Sequence, residues 1–236
     1  MDHKKIAIQK LEQNIDEAYA KKVSVFVPTE ATILGVRVPQ VKKIAAEMSK
    51  DTPQTVEDLV SFMDACLDPP HRELFLLNVF LLARKKNIHQ DPHVWEKCGQ
   101  WAEKLIDWEM TDQMAVSLTG EMVACDLSRK KDLLKWVKAD HMWKRRLALV
   151  STIASNHSKR SNPELTIAVC EHAMTDKEPM IYKAVGFALR EACRGGGSQE
   201  VYEFLLSQKD VVYRKTLVES IKKLDPEKQE NLLKTG

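Results

Sequence analysis

The sequence predicts an all-α protein, a right-handed α-α superhelix of stacked helix pairs with a basic concave face. Three observations support this prediction. Apolar residues recur at helical spacing along almost the whole chain, helix-ending signals interrupt them at short intervals, and similar segments return every 32 to 37 residues. Of the 236 residues, 44% are hydrophobic and 30% are charged. This composition excludes a disordered or collagen-like chain.

Helical periodicity and punctuation together define the elements. The spacing is clear in Leu74, Leu77, Phe80 and Leu81, and again in Leu147, Val150 and Ile153. The punctuation consists of Pro39, Asp51-Thr52-Pro53, Asp68-Pro69-Pro70, Asp91-Pro92, Asn162-Pro163, residues 194–198 and Asp225-Pro226. We expect about twelve helices of roughly 10 to 17 residues. Only residues 23–27 are compatible with a short strand, and Pro28 suits an irregular connection equally well.

A repeated pattern places a basic residue next to an apolar run. It occurs in residues 143–150, 180–187 and 212–219. The basic positions Arg146, Lys183 and Lys215 are 37 and 32 residues apart, and Trp108 lies 35 residues before Trp143. Such periods are typical of stacked helix pairs, in which one helix of every pair lines the same surface. The three basic residues should then form a stripe spaced by about 10 Å; a compact bundle is the alternative.

Charge is distributed unevenly. The net charge is only +2, but residues 127–160 contain ten basic and two acidic side chains, a net of +8, which leaves −6 for the remainder. A concentrated positive field of this kind suits a phosphate-bearing partner.

Several classes of function are excluded. The five cysteines are odd in number and contain no Cys-x-x-Cys pair, so we expect neither disulfides nor a zinc site, and a reducing cytoplasm fits best. No apolar run reaches the roughly 18 residues of a membrane span, and no signal sequence is recognised. Phosphate-loop, dinucleotide, metalloprotease and nucleophile-elbow motifs are absent. His89 and His93 have helical spacing, but Asp91-Pro92 interrupts that helix. We expect no cofactor and no metal.

One short segment brings an aromatic side chain and a carboxylate together. Trp108 and Asp112 are four residues apart near a predicted helix start, so they share one helix face. A structural alternative is a core tryptophan followed by a solvated aspartate that the helix dipole favours. Arg146 has a similar alternative as an ordinary surface residue.

The chain resembles the AlkD-type DNA alkylation repair glycosylases, which are built from HEAT-like helical repeats. The matching segments are residues 34–39, 70–75, 108–112, 142–146 and 182–191, and their order and spacing span most of the chain. The resemblance implies a single HEAT-like repeat glycosylase domain over residues 1–236. Its concave basic face would bind duplex DNA carrying cationic N3- or N7-alkylated purines.

The resemblance also implies roles for individual residues. The family's catalytic aspartate falls on Asp112, its first active-site tryptophan on Trp108, and its DNA-binding arginine on Arg146. The second active-site tryptophan falls on Phe187, a departure that keeps an aromatic face but loses the indole N–H. Phe26 is the nearest match to an aromatic residue that contacts DNA near the N-terminus.

Further phosphate contacts are expected from Arg145, Lys183 and Lys215. The implied enzyme is a monofunctional 3-methyladenine/7-methylguanine-type glycosylase, monomeric and cytoplasmic, that leaves an abasic site without full base flipping. Neutral lesions should be poor substrates. Two alternatives remain open: a non-catalytic HEAT-like protein that binds damaged or branched DNA by charge and shape, and a protein-interaction scaffold, a common role of helical repeats.

Overall fold

A computed structural model of the chain describes residues 3–52, 54–157 and 159–234, which form fifteen α-helices. Contacts divide the chain into two compact units, residues 1–119 and 120–236. Within the described residues, β-structure is limited to two isolated bridges, Thr32 with His71 and Leu67 with Pro70. The prediction of an all-α protein is confirmed.

Unit 1, residues 1–119, is organised around one buried helix. Its helices are α1 (His3–Glu12), α2 (Glu17–Phe26), α3 (Val38–Asp51), α4 (Val56–Cys66), α5 (Arg72–Leu82), α6 (Pro92–Trp101) and α7 (Trp108–Met114). Every residue of α5 is buried. The helix packs against α3, α4 and α7, and α4 also contacts α6. Helices two apart in the sequence are therefore spatial neighbours, as stacked helix pairs require.

Unit 2, residues 120–236, has two rows of helices. Its helices are α8 (Gly120–Cys125), α9 (Lys130–Trp136), α10 (Met142–Ser151), α11 (Pro163–Cys170), α12 (Pro179–Ala192), α13 (Ser198–Gln208), α14 (Arg214–Ser220) and α15 (Pro226–Lys234). Helices α8, α10, α12 and α14 pack in succession as the even row, and α9, α11, α13 and α15 as the odd row. The three repeated segments of the sequence fall on α10, α12 and α14, which confirms the predicted helical repeat.

Helix starts follow the predicted punctuation. Pro39, Pro92 and Pro163 each lie in the first turn of a helix, where the missing N–H has no intrahelical partner to lose. Asp91 and Asn162 cap two of these helices through their side chains.

The α-helices are more numerous and shorter than the roughly twelve helices of 10 to 17 residues that the sequence predicts. The described residues contain fifteen α-helices of 6 to 14 residues, because 3₁₀ and π turns divide several longer segments. For example, a π turn over Ala115–Thr119 follows α7, and a 3₁₀ turn over Ile153–Asn156 follows α10.

Residues 23–27 are not extended. They form the last turn of α2 up to Phe26, and the N–H of Val27 donates to the carbonyl of Val23. Asp16 caps this helix by accepting from the N–H of Tyr19, and Val23 is buried. Packing and capping therefore override the β-propensity of the valines.

No helix within the described ranges is long and apolar enough to cross a membrane. All five cysteines are free, and Cys125 alone among them is exposed.

Candidate active site

The residues predicted from sequence fall into two groups, one in each unit. Unit 1 carries Trp108 and Asp112 on α7, and Phe26 at the end of α2. Unit 2 carries the remaining candidates on the even row: Arg145 and Arg146 on α10, Lys183 and Phe187 on α12, and Lys215 on α14.

A buried aspartate determines where α7 begins. Asp107 is fully buried, and its carboxylate accepts from the N–H of Met110 at 2.8 Å. The hydroxyl of Thr111 donates to the Asp107 carbonyl at 2.7 Å. Burial raises the pKa of the Asp107 carboxyl, while the bond from Met110 opposes that rise. The cap makes Trp108 the first and Asp112 the fifth residue of α7, so both project from one helix face.

Trp108 lies at the surface of unit 1 and is only partly buried. Its indole N–H donates to the carbonyl of Phe26, the last residue of α2, at 3.1 Å. The Phe26 side chain is 65% exposed, with the Lys22 ammonium 5.8 Å from its ring centre. Asp112 is also partly buried. The partial exposure of Trp108 contradicts the alternative of a core tryptophan at this position. Phe26, the nearest match to the family's DNA-contacting aromatic residue, meets Trp108 through its backbone carbonyl.

Beneath the start of α7 lies a buried charged network. The guanidinium of Arg72, fully buried at the start of α5, grips Glu109 with two bonds, Nε to Oε2 at 2.6 Å and Nη2 to Oε1 at 2.8 Å. Its Nη1 donates to Glu73 at 2.8 Å and to the Val36 carbonyl at 3.1 Å, and its Nη2 donates to the Tyr19 hydroxyl at 3.1 Å. Burial alone would lower the pKa of Arg72, but the carboxylates of Glu109 and Glu73 raise it overall.

Glu73 extends this network to the segment before α3. Its carboxylate accepts backbone N–H bonds from Leu34, Gly35 and Val36 at 2.9, 2.9 and 3.3 Å. Gly35 has a φ of 95°, and a Cβ there would lie 2.6 Å from that of Ala20. Residues 34–39 and 70–75, far apart in the sequence, are thus joined by these hydrogen bonds.

Sequence reasoning missed the Arg72–Glu109 pair. The two residues are 37 positions apart, and nothing local connects them. The available signal was that a charged dipeptide, Arg72-Glu73, opens a helix of otherwise mainly apolar residues.

The two predicted DNA-binding arginines of α10 have contacts within unit 2. Arg146 is only 7% exposed, and its Nη1 donates to the carbonyl of Met180 at 2.5 Å. Arg145 donates to the carbonyls of Ala139 and Asp140 at 3.0 and 2.8 Å. Its Nε lies 3.4 Å from the carboxylate of Asp176.

The predicted lysines differ from these arginines. Lys183 and Lys215 are both exposed, and they lie on α12 and α14, which pack against each other. The Lys215 ammonium is 6.0 Å from the ring centre of Tyr182, whose ring meets that of Tyr213 edge to face at 5.6 Å. The even row therefore presents exposed cations beside partly exposed tyrosines.

The charge of residues 127–160 is not concentrated on one row. Arg129 and Arg146 are buried, while Lys131 and Lys135 belong to α9 in the odd row. A count of charges overstates the field along the even row, because burial and ion pairing remove part of it.

Phe187 lies on α12 and is partly buried. The guanidinium of Arg190, one turn further along, lies 6.0 Å from its ring centre. Arg190 is in turn held by Glu219 of α14, donating to its carbonyl at 2.9 Å and to its carboxylate at 3.1 Å. The residue before Phe187, Gly186, permits close contact between α12 and α14.

Among the described residues, no group of three or more His, Cys, Asp or Glu side chains is placed to hold a metal ion. The candidate residues are aromatic, carboxylate and cationic groups only.

The stacked helices of both units define a helical-repeat protein. A family model described as DNA alkylation repair enzyme matches residues 7–224, so the chain belongs to that family. Two solved structures share the fold. A predicted DNA alkylation repair enzyme from Enterococcus faecalis is 19% identical with a TM-score of 0.75, covering 90% of this chain and 98% of its own. AlkD2 from Streptococcus mutans is 15% identical with a TM-score of 0.62, covering 89% and 99%. No curated protein sequence matches.

Proposed function

We propose that this protein is a monofunctional DNA glycosylase that hydrolyses the N-glycosidic bond of cationic N3- or N7-alkylated purines in duplex DNA. The observation that carries the proposal is the placement of Trp108 and Asp112 on one accessible face of α7, in a chain of the DNA alkylation repair family. The product is an abasic site in an uncut strand, since no lysine is assigned to Schiff-base chemistry.

The chemistry needs few groups. An N3- or N7-alkylated purine carries a positive charge and leaves as a neutral base, so no general acid is required. As the bond stretches, positive charge develops on the deoxyribose, as in glycoside hydrolysis. The Asp112 carboxylate opposes that charge and orients or deprotonates the attacking water. The aromatic face of Trp108 stabilises the same cation, and the family resemblance gives Phe187 a similar role.

Binding to DNA rests on the even row. Lys183 and Lys215 are exposed and free to reach phosphate oxygens, which supports their role as backbone contacts. Arg146 is included because its position matches the DNA-binding arginine of the family that the sequence resembles, and Arg145 contributes through exchange of its ion pair with Asp176. Because phosphate contacts carry no sequence information, selectivity comes from the lability of the charged lesion, without full extrusion of the base.

We also propose that the protein acts as a monomer, in the cytoplasm, and without a cofactor or metal. Five free cysteines support a reducing compartment. The reaction is a hydrolysis whose leaving group is already activated, so the residues named above suffice.

A test uses a duplex with one N7-methylguanine, followed by alkali to reveal abasic sites. Wild type and the control Asp132→Asn, which removes a carboxylate of α9 in the odd row, should release the base faster than the spontaneous rate. Asp112→Asn should not. Equal release by wild type and Asp112→Asn would place catalysis elsewhere.

A second candidate is a non-catalytic protein that binds damaged or branched DNA. Phe187 favours this non-catalytic function, because its ring lacks the indole N–H and the Arg190 guanidinium lies over the ring. This reading predicts salt-dependent duplex binding by wild type and Asp112→Asn alike, without base release from 7-methylguanine, 3-methyladenine or bulkier lesions.

A further inference from the structure

The start of α7 rests on charged side chains that have almost no contact with solvent. Arg72, Glu73 and Glu109 are 0%, 0% and 7% exposed. A buried ion pair is a weak source of stability, because the cost of removing charges from water offsets most of their attraction. Apolar residues of similar volume would often serve as well. The network therefore suggests a role in fixing geometry.

Arg72 connects both supports of Trp108. Its forked Nε and Nη2 bonds hold Glu109, the residue after Trp108 in α7. Its Nη2 also donates to Tyr19 of α2. The last residue of α2, Phe26, supplies the carbonyl that accepts the Trp108 indole N–H. One guanidinium thus holds the helix that carries Trp108 and the helix that binds its ring nitrogen.

The other end of α7 is held by packing, since Met114 and Ala115 are fully buried. The helix has only seven residues and passes into the π turn Ala115–Thr119, three residues after Asp112. The N–H of Ala115 is shared between the carbonyls of Asp112 and Thr111. Asp112 belongs to the same short helix as Trp108, so the position of its backbone depends on how the first turn of α7 is anchored.

We propose that Arg72, acting through Glu109, is a positioning residue that sets Trp108 and Asp112 for reaction with DNA. This inference rests on the proposed glycosylase function. Arg72 is buried and does not touch DNA itself. A lysine cannot replace it, because one ammonium cannot supply two parallel bonds to Glu109 together with bonds to Glu73, Val36 and Tyr19.

The test compares Arg72→Lys and Glu109→Gln with the control Asp64→Asn. Asp64 on α4 accepts from the Trp101 indole at 2.7 Å and from Lys97 at 3.1 Å, both on α6, so its loss weakens unit 1 without touching the Arg72 network. Misplacing a reacting group by about 1 Å costs about 100-fold in rate. We expect Arg72→Lys and Glu109→Gln to lower the single-turnover release of 7-methylguanine by about 10- to 100-fold, with unchanged duplex Kd.

Glu109→Gln keeps the side-chain shape and one accepting oxygen, so it tests the inference should Arg72→Lys not fold. Asp64→Asn should keep the wild-type rate despite lower folding stability. Wild-type rates in folded Arg72→Lys or Glu109→Gln would overturn the inference.

A second readout separates this inference from the proposed function. The fluorescence of Trp108 is obtained by subtracting the spectrum of a Trp108→Phe counterpart of each variant. We expect the Trp108 emission to shift in Arg72→Lys and in Glu109→Gln but not in Asp64→Asn. If wild type releases no alkylated base, the glycosylase proposal fails. The Trp108 emission spectrum then still tests whether Arg72 and Glu109 position Trp108. An unshifted Trp108 spectrum in both network variants would refute it.

Discussion

Helices α7 and α12 each carry an aromatic residue that we propose for the active site, but the contacts that hold the two helices differ in burial. The seven-residue α7 is anchored by polar groups, namely the buried cap Asp107 and the Arg72–Glu109 pair. The fourteen-residue α12 is anchored to α14 by close packing and by a partly exposed ion pair, Arg190 with Glu219. At its Gly186, a Cβ would lie 2.4 Å from the Cβ of Glu219 on α14.

The difference determines what each helix tolerates. A polar anchor depends on complete pairing, because removal of one partner leaves a buried charge without compensation. A close-packed contact depends on volume, because protein interiors contain little free space. Changes of charge and pH should therefore act more strongly on α7, whose ion pair is buried, than on α12, whose ion pair is partly exposed, while changes of side-chain size should act on α12.

The largest effect is expected from breaking the pair that anchors α7. Glu109→Leu should lower the free energy of unfolding by about 3–5 kcal/mol, because Arg72 loses its bidentate partner in a buried site. Arg72→Met should act similarly. The double variant should lose less than the sum of the two single changes, since neither charge is then stranded. Denaturant unfolding of the four proteins measures this coupling, and strictly additive losses would contradict it.

A smaller loss is expected at the close contact of α12. Gly186→Ala should lower the free energy of unfolding by about 1–3 kcal/mol, because the added methyl meets Glu219, including its backbone carbon at 3.1 Å. In an open helix the same change is favourable by about 1 kcal/mol. A denaturant titration gives the sign of the change in the free energy of unfolding. A more stable Gly186→Ala would show that α14 moves away freely.

The cap of α7 should make stability depend on pH. Burial raises the pKa of Asp107 above 3.8, so the protonated form is favoured in the folded state. Measured against Asp107→Asn, the stabilisation of the folded state by this carboxyl is fully present below the pKa it has in the unfolded state. It is lost as pH rises through the pKa it has in the folded state. Between about pH 4 and about pH 7, the free energy of unfolding of the wild type should fall relative to that of Asp107→Asn. A constant difference, or one of opposite sign, would argue against a raised pKa.

The smallest effect on stability is expected from the exposed lysines of the even row. Lys183→Ala should change the free energy of unfolding by less than about 0.5 kcal/mol. It should lower the salt slope of duplex binding by about 1, because one phosphate contact is lost. Lys135→Ala on α9 of the odd row, which is 75% exposed, is the matched control. Equal salt slopes for Lys183→Ala and wild type would remove Lys183 from the DNA-binding surface.

Local signals in the sequence predicted much of the fold. Apolar periodicity and the prolines at positions 39, 92 and 163 indicated helices and their starts. The repeat placed Arg146, Lys183 and Lys215 on successive helices of one row, as observed. Residues 23–27 were ambiguous, because valine-rich segments suit a strand unless packing and a cap select a helix.

The partners of charged residues could not be predicted. The pairing of Arg72 with Glu109 depends on α5 and α7 packing together, which no local pattern reports. Likewise, the sequence counted Arg146 as part of a basic field, while its burial and its bond to Met180 follow from the contact between α10 and α12. Roles for Asp112, Trp108, Phe187 and the cationic residues in catalysis and DNA binding stay predictions.

The proposed function depends on a carboxylate of α7, Asp112, that promotes loss of an already charged base. The most direct test measures single-turnover base release from two duplexes of identical sequence, one with N7-methylguanine and one with uracil, by wild type and Asp112→Asn. We predict accelerated release of N7-methylguanine by wild type only, and no release of uracil by either protein. Accelerated release of N7-methylguanine by Asp112→Asn, or comparable release of uracil by wild type, would contradict the account.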